Sequence, residues 1–295
     1  MMSMPMEMIT TERELERAGF YWRERGGVRA LACAPLEREG FTNAFSTRLG
    51  GCSPLSQDAL NLAGFNDDTA ENIYENRRRF LSLFDSNWTL TACWQVHGAD
   101  VLMVRERPRP HGGIGEEDRC DALTTNLSGI LLGVKTADCV PVILGDARTG
   151  ACAAAHAGWR GTLSEIVVRA LERMRAEYGT RAADVRAAIG PAALVCCYEI
   201  GDEVIEAFRK QFNYADDLLV PTRPNHARID LHQANHRQLI NAGLDPSRIH
   251  TALFCTMCRT DLFFSYRCEK NLYGRTGRLL GVIGKQKIER IENRG

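Results

Sequence analysis

The chain has no excess of either charge: 37 lysines and arginines stand against 37 aspartates and glutamates over 295 residues, for a formal net charge of zero. That balance removes the basic footprint of a nucleic-acid binder, and no block of like charge reads as an interaction tail. No apolar run is as long as a bilayer span, so no membrane partner is expected. The first ten residues have no apolar core and carry Glu7, so no secretion signal is read. Eleven cysteines could suggest a disulfide framework. Their odd number, the missing secretion signal and a length that buries roughly 75% of the unfolded surface argue against one. Reduced thiols in a cytoplasmic protein are the expectation. No internal repeat and no linker divides the chain. Residues 1–40 read as a variable N-terminal lead-in, and 41–295 as a single domain.

Residues 41–51 alternate toward a strand and break at Gly50-Gly51, a tight turn or a close backbone approach. A helix is expected from Asp67-Asp68-Thr69-Ala70 to about Phe84, with Ile73, Tyr74, Arg77, Phe80, Leu81 and Phe84 on one face. Residues 89–93 read as a strand that delivers His97 at its end, and 101–104 continue extended. Residues 105–119, rich in Pro, Gly and charge, read as a surface loop. Its Gly112-Gly113-Ile114-Gly115 is followed by no helix, which excludes a dinucleotide fingerprint. Residues 130–134 and 140–144 have the length and β-branched content of buried strands. Residues 151–155 form a strand of small side chains ending at His156. The spacing then predicts a helix over 163–178, with Thr162 and Glu165 as a capping box and Gly179 as its stop. Further helices are expected at 203–212 and at 231–242, the latter capped by Asp230, with strands at 185–189, 227–229 and 279–283.

Three segments could meet at one metal ion: Gln95-Val96-His97-Gly98, Ala137-Asp138-Cys139-Val140-Pro141 and His156-Ala157-Gly158-Trp159-Arg160-Gly161. Two imidazoles and one thiolate make a three-ligand zinc set. A catalytic zinc keeps three protein ligands and an open fourth position, whereas a structural zinc is closed by four. His97, Cys139 and His156 are therefore the candidate metal ligands and catalytic residues, and no fourth ligand is evident. Gly158 and Gly161 let backbone N–H groups at a helix start face a cavity, an anion site. Lys135 and Asp138 beside Cys139 point to a polar pocket, with Asp138 a candidate proton carrier. Arg48, Lys135 and Arg160 each flank a turn near the metal segments and are candidate substrate contacts, since a guanidinium fork matches phosphate or carboxylate. Two rival readings remain: a metal-free Cys139–His156 thiol hydrolase, and a non-enzymatic scaffold around a structural zinc. Cys255-x-x-Cys258 lacks the second half of a zinc ribbon, with Cys268 standing alone, so these read as structural thiols. Cys196-Cys197 reads as packing beneath a loop. His232 and His236 have Gln233 where a zincin carries its general-base Glu, so a solvated helix face is expected.

The order of these blocks resembles the YfiH-type family, also called the multicopper polyphenol oxidase (laccase-domain) family or peptidoglycan editing factors. Phe45-Ser46-Thr47-Arg48-Leu49-Gly50-Gly51 and Asn61-Leu62 are similar to its opening, and the three metal segments to its signature blocks. Gly190-Pro191, Cys196-Cys197-Tyr198-Glu199, Phe264-Ser265-Tyr266-Arg267 and Thr276-Gly277-Arg278 continue the match, from about residue 41 to 284. The chain departs after Arg267, where the family usually carries another basic residue and a short turn and this chain has Cys268-Glu269-Lys270-Asn271-Leu272-Tyr273. The resemblance implies a mixed α/β (α+β) fold, YfiH-like, with helices packed on large mixed β-sheets. It carries His97, Cys139 and His156 across as zinc ligands. It implies a purine nucleoside phosphorylase acting on adenosine, inosine, guanosine and methylthioadenosine with phosphate, together with adenosine deaminase activity at the purine C6. It also implies peptidoglycan editing, so a hydrolase acting on muropeptide precursors of the UDP-MurNAc-serine type is the alternative. Copper is disfavoured against zinc: multicopper oxidation needs many histidines, and of the seven here only two lie in the metal segments.

Overall fold

Apolar runs buried along nearly their whole length, such as Ile130–Thr136 and Val140–Asp146, require sheets covered on both faces. The computed structural model describes residues 11–55, 59–63, 68–85, 87–107 and 118–286, and among these the strands form three sheets. The first runs, in spatial order, β1 (Phe20–Arg25), β2 (Val28–Cys33), β3 (Phe41–Ser46), β15 (Leu279–Lys285), β7 (Ile130–Thr136) and β4 (Thr89–Ala92). The second runs β14 (Ile249–Thr251), β10 (Val185–Ile189), β8 (Val140–Asp146), β9 (Cys152–Ala157), β6 (Ala122–Thr125) and β5 (Val101–Met103). A small third sheet joins β11 (Glu199–Gly201), β13 (His226–Ile229) and β12 (Leu219–Arg223). The large sheets are mixed, because β4–β7, β10–β14 and β5–β6 are parallel among antiparallel neighbours. The helices are α1 (Glu12–Arg17), α2 (Ala34–Arg38), α3 (Ala70–Leu81), α4 (Trp159–Leu163), α5 (Ile166–Tyr178), α6 (Asp202–Gln211), α7 (Leu231–Asn241) and α8 (Tyr266–Tyr273).

Strand alternation divides the side chains among three cores. Leu132, Ile143, Ala154 and Ile283 join Phe41, Phe45 and Phe264 between the two large sheets. Leu131 and Val282, one residue away, face the other side and pack beneath Phe80 of α3. Val142, Leu144 and Ala153 face α5, α6 and α7 through Val167, Leu171, Phe208 and Leu239. The result is the expected mixed α/β fold with helices on large mixed sheets, in the layer order α3, sheet, sheet, helices. No described helix is long and apolar enough to cross a membrane.

Residues 12–38, which carried few firm signals, supply α1, β1, β2 and α2, and β1–β2 extend the first sheet beside β3. The expected helix over 163–178 begins three residues later, as α5, and a separate short helix, α4, precedes it. Trp159–Leu163 is a single short helix, and the chain pivots through Glu165, at φ 57°, into α5. The Thr162–Glu165 capping box is absent. Buried Thr162 instead donates its hydroxyl to the Ala157 carbonyl at 3.4 Å and accepts from Asn235 Nδ2 at 3.0 Å, tying α4 to α7. The helix start beside His156 is thus only five residues long, so the expected anion site has little helix behind it. His232 is not solvated: it is 1% exposed, and its Nε2 donates to the Gly190 carbonyl at 2.8 Å. The first turn of α7 lies against the end of β10, which draws the ring inward. Tyr74, expected on the buried face of α3, is exposed. The glycine run 112–115, Asp67 and the first ten residues lie outside the described residues.

Candidate metal centre and cleft

Antiparallel pairing of β8 with β9 sets Pro141 opposite His156 and Val140 opposite Ala157. Cys139, one residue before β8, therefore arrives beside the end of β9. His97 reaches the same place from the turn that follows β4. The ligand atoms of His97, Cys139 and His156 all lie within 4.8 Å of one another, and the two imidazoles meet edge to face at 4.9 Å. A Cβ at Gly158 would stand 3.0 Å from Cys139 Sγ and 3.4 Å from His97 Cδ2, so glycine keeps this space open. His97 and Asp138 have φ of 60° and 86°, a left-handed backbone that is strained for both residues.

Asp121, fully buried just before β6, organises the centre. Its Oδ1 accepts from His156 Nδ1 at 2.8 Å and from the His97 N–H at 2.9 Å, and its Oδ2 accepts from the N–H groups of Gly98 at 2.6 Å and Val96 at 3.2 Å. The carboxylate thus orients His156 so that Nε2 is the nitrogen left for a metal. Burial pushes the Asp121 carboxyl up, but the hydrogen bonds from His156 and Gly98 outweigh it and the net shift is downward. Burial likewise raises the Cys139 thiol, yet the charge of His156 and hydrogen bonds from both histidines bring it down to about 6. His156 moves oppositely: burial lowers it, and Cys139 and Asp121 raise it to about 9. The site therefore favours a thiolate beside an imidazolium until a cation replaces the proton.

Above these donors opens a cleft of about 600 Å³, within the range of small-molecule sites. Trp94, Trp159, Tyr198 and Tyr266 offer aromatic faces, and Lys135, Arg160, Arg267 and Arg278 bring positive charge. Arg160 lies 4.2 Å over the Trp159 ring, and Arg267 5.2 Å over that of Tyr198. The Gln95 side chain bonds both the N–H and the carbonyl of Lys135, each at 2.7 Å, joining the His97 turn to the end of β7. Asp138 also lines the cleft, with both oxygens engaged: Oδ1 accepts from the Thr256 hydroxyl at 2.6 Å and Oδ2 from the Arg267 N–H at 2.7 Å. Burial, its largest influence, leaves its carboxyl raised despite these bonds.

Of the residues singled out from sequence, His97, Cys139, His156, Lys135, Asp138 and Arg160 share this cleft. Arg48 does not. Its guanidinium pairs with Glu269 at 2.6 Å, donates to the Thr260 carbonyl at 2.8 Å and lies 4.5 Å over the Phe264 ring. Glu269 belongs to the stretch where the chain departs from the family pattern, and it converts Arg48 into a structural cation. Asp121 went unnoticed in the sequence, although an aspartate opening a buried apolar strand demands a partner. Tyr198, Tyr266, Arg267 and Arg278 lay within recognised blocks without being given a function.

A sequence profile of the family described as multi-copper polyphenol oxidoreductase laccase matches residues 42–286. The chain is similar to the purine nucleoside phosphorylase YlmD of Geobacillus stearothermophilus, with 33% identity over 267 residues, 87% of this chain and 94% of that one. It is 40% identical over 187 residues to adenosine deaminase RL5 from an unknown prokaryotic organism, covering 62% of this chain and 71% of the relative. The crystal structure of YlmD from Geobacillus stearothermophilus superposes with a TM-score of 0.82 at 32% identity, over 91% of this chain and 99% of that one. The hypothetical protein YfiH of Bacillus licheniformis gives the same TM-score at 28% identity, over the same shares of both chains.

Proposed function

The chain belongs to the multi-copper polyphenol oxidoreductase laccase family, and we propose that this member is a zinc-dependent purine nucleoside phosphorylase that also deaminates adenosine. One observation carries the reading: a three-donor cluster lies in a cleft whose walls combine four aromatic rings with four cationic side chains. Aromatic faces suit a purine, and the cations suit phosphate. The names of the phosphorylase and deaminase relatives support the same choice.

The residues fit a metal. Three donor atoms converge, Asp121 fixes the outer nitrogen of His156, and the thiol is already disposed to ionise. Among the described residues no fourth His, Cys, Asp or Glu joins this group, leaving the open position that a catalytic metal needs. An N₂S set accepts zinc or copper. We read the metal as zinc, because two histidines and one thiolate suit a single catalytic zinc and two histidines cannot hold a multicopper cluster. When bound, it would supply Lewis-acid polarisation and water activation at the open position.

The chain's own groups do the rest. Trp94, Trp159, Tyr198 and Tyr266 hold the base and keep water from it. Lys135, Arg160, Arg267 and Arg278 hold phosphate so that an oxygen faces the ribose C1′. As the C1′–O bond forms and the C1′–N9 bond breaks, the purine takes the electron pair and needs a proton, which Asp138, with its raised carboxyl, would carry. Purified zinc-loaded protein with adenosine should form adenine and ribose-1-phosphate only when phosphate is present, and inosine without it. Absence of all three products would overturn the reading and turn attention to muropeptide-precursor hydrolysis.

A further inference from the structure

A second cluster of metal-binding side chains lies outside the three-donor centre. Cys196 and Cys197 sit on the connection from β10 to β11, and Cys255 and Cys258 on the connection from β14 to α8. Neither pair looked like a site in the sequence, because each supplies only half of one. In the fold their sulfur atoms all lie within 4.8 Å of one another. Cys258 Sγ is 3.7 Å from Cys196 Sγ and 3.3 Å from Cys197 Sγ. A tetrahedral zinc with Zn–S bonds of about 2.3 Å needs sulfur–sulfur edges of about 3.8 Å; the two Cys258 edges lie within about 0.5 Å of that length, and no edge exceeds 4.8 Å.

The main chain holds this arrangement. Ala192 and Cys255 form a parallel bridge. The Ala192 N–H donates to the Phe254 carbonyl at 3.2 Å, and the Thr256 N–H to the Ala192 carbonyl at 3.0 Å. The Leu194 N–H points at Cys255 Sγ at 3.5 Å, as outer-shell donors do toward a ligating thiolate. Arg228 donates to the Cys196 carbonyl at 2.9 Å, bringing a positive charge close to a centre that four thiolates would leave negative.

We propose that Cys196, Cys197, Cys255 and Cys258 bind a second zinc in a closed tetrathiolate site that clips these two loops together. Binding forms four Zn–S bonds and releases the thiol protons to solvent. Four protein ligands leave no open position, so this zinc is structural. Its effect reaches the cleft, because one clipped loop carries Tyr198 and the other carries Thr256, whose hydroxyl holds Asp138. The proposal does not depend on the reaction assigned to the cleft.

The test uses the full chain carrying Cys139→Ala, which removes the three-donor centre. Produced with zinc and dialysed, it should retain one zinc per chain by elemental analysis. Adding Cys258→Ser should abolish that zinc, whereas Cys258→His should keep it. Cobalt exchanged into the Cys139→Ala protein should give strong thiolate-to-cobalt charge-transfer absorption. This reading does not depend on whether the serine variant folds. Unaltered protein, denatured in chelator without reductant, should titrate eleven thiols, the full number in the sequence. A Cys139→Ala protein without zinc, zinc that survives Cys258→Ser, or a count of nine thiols, as a Cys197–Cys258 disulfide would give, each overturns the proposal.

Discussion

Replacing Asp121 by asparagine should damage the metal centre and the fold together. The substitution keeps the shape of the side chain but turns one acceptor oxygen into a donor. Oδ1 serves His97 N and His156 Nδ1, and Oδ2 serves Val96 N and Gly98 N. Whichever way the amide turns, two buried donors face an NH₂ group. Each unpaired donor costs about 1–3 kcal/mol, and small local shifts recover part of that, so a loss of about 2–4 kcal/mol is expected. In a chain of this size each kcal/mol lowers Tm by about 1.5–2 °C. Losing the carboxylate behind His156 should also weaken metal binding by roughly 10–100-fold. Circular-dichroism melts of the metal-free protein report the first quantity, and competition with a chromophoric chelator reports the second. Unchanged metal affinity in a destabilised Asp121→Asn variant would show that the carboxylate only braces the turn. An unchanged Tm as well would refute the hydrogen-bond argument entirely.

Gly158→Ala should fold yet lose most of its bound metal, since the new methyl would stand 3.0 Å from Cys139 Sγ; full metal content by elemental analysis would contradict this. Arg48→Ala should cost about 3 kcal/mol by leaving the charge of Glu269, its partner in a nearly buried ion pair, to the Thr276 hydroxyl and the Ser265 N–H alone, while turnover per folded molecule persists. An unshifted melt with a raised KM for phosphate would instead give Arg48 a direct part in substrate binding. Metal-free protein should be alkylated at Cys139 at neutral pH, because the thiol is held at about 6 and so is mostly thiolate there. The rate should fall as pH drops below that value, and zinc should protect. Peptide mass spectrometry checks both outcomes, and equal labelling with and without zinc would remove Cys139 from the ligand set.

Much of the framework was legible because buried strands and amphipathic helices leave periodic traces. Strand β10 falls on the residues expected, and Asp230 caps α7 as read, accepting from the Gln233 N–H at 2.8 Å. The failures were places where contacts distant in sequence override local signals. Thr162 has a capping residue's identity, but Asn235 and the Ala157 carbonyl take its hydroxyl. His232 sits on a polar-looking helix start, yet the Gly190 carbonyl draws it inside. Arg48 flanks the right glycines but answers to Glu269, some 220 residues away. The convergence of His97, Cys139 and His156 could be guessed from their types and blocks. Asp121 signalled only that it needed a partner, not which, because its four partners lie on two other segments and share no spacing with it.

The backbone at the centre shows why such anchors are necessary. His97 and Asp138 occupy left-handed conformations that cost on the order of 1–3 kcal/mol each, and each flanks or supplies a donor atom. Two carboxylates offset that strain. Asp121 gathers three consecutive N–H groups of the His97 turn, which only this sharp bend could aim at one side chain. Asp138, turned the same way, reaches Thr256 and the Arg267 N–H. The second anchor lies on the segments that carry Cys255, Cys258, Tyr266 and Arg267. The backbone position of Cys139 is therefore coupled to the wall that would bind substrate. A perturbation that frees Thr256 or Arg267 from Asp138 should relax the Cys139 turn and loosen the metal, even though neither residue is a ligand. Thr256→Val, which keeps the volume and deletes the hydroxyl, isolates this coupling: the reasoning requires weaker metal binding at His97, Cys139 and His156, and an affinity equal to that of the unaltered protein would break the link between wall and centre.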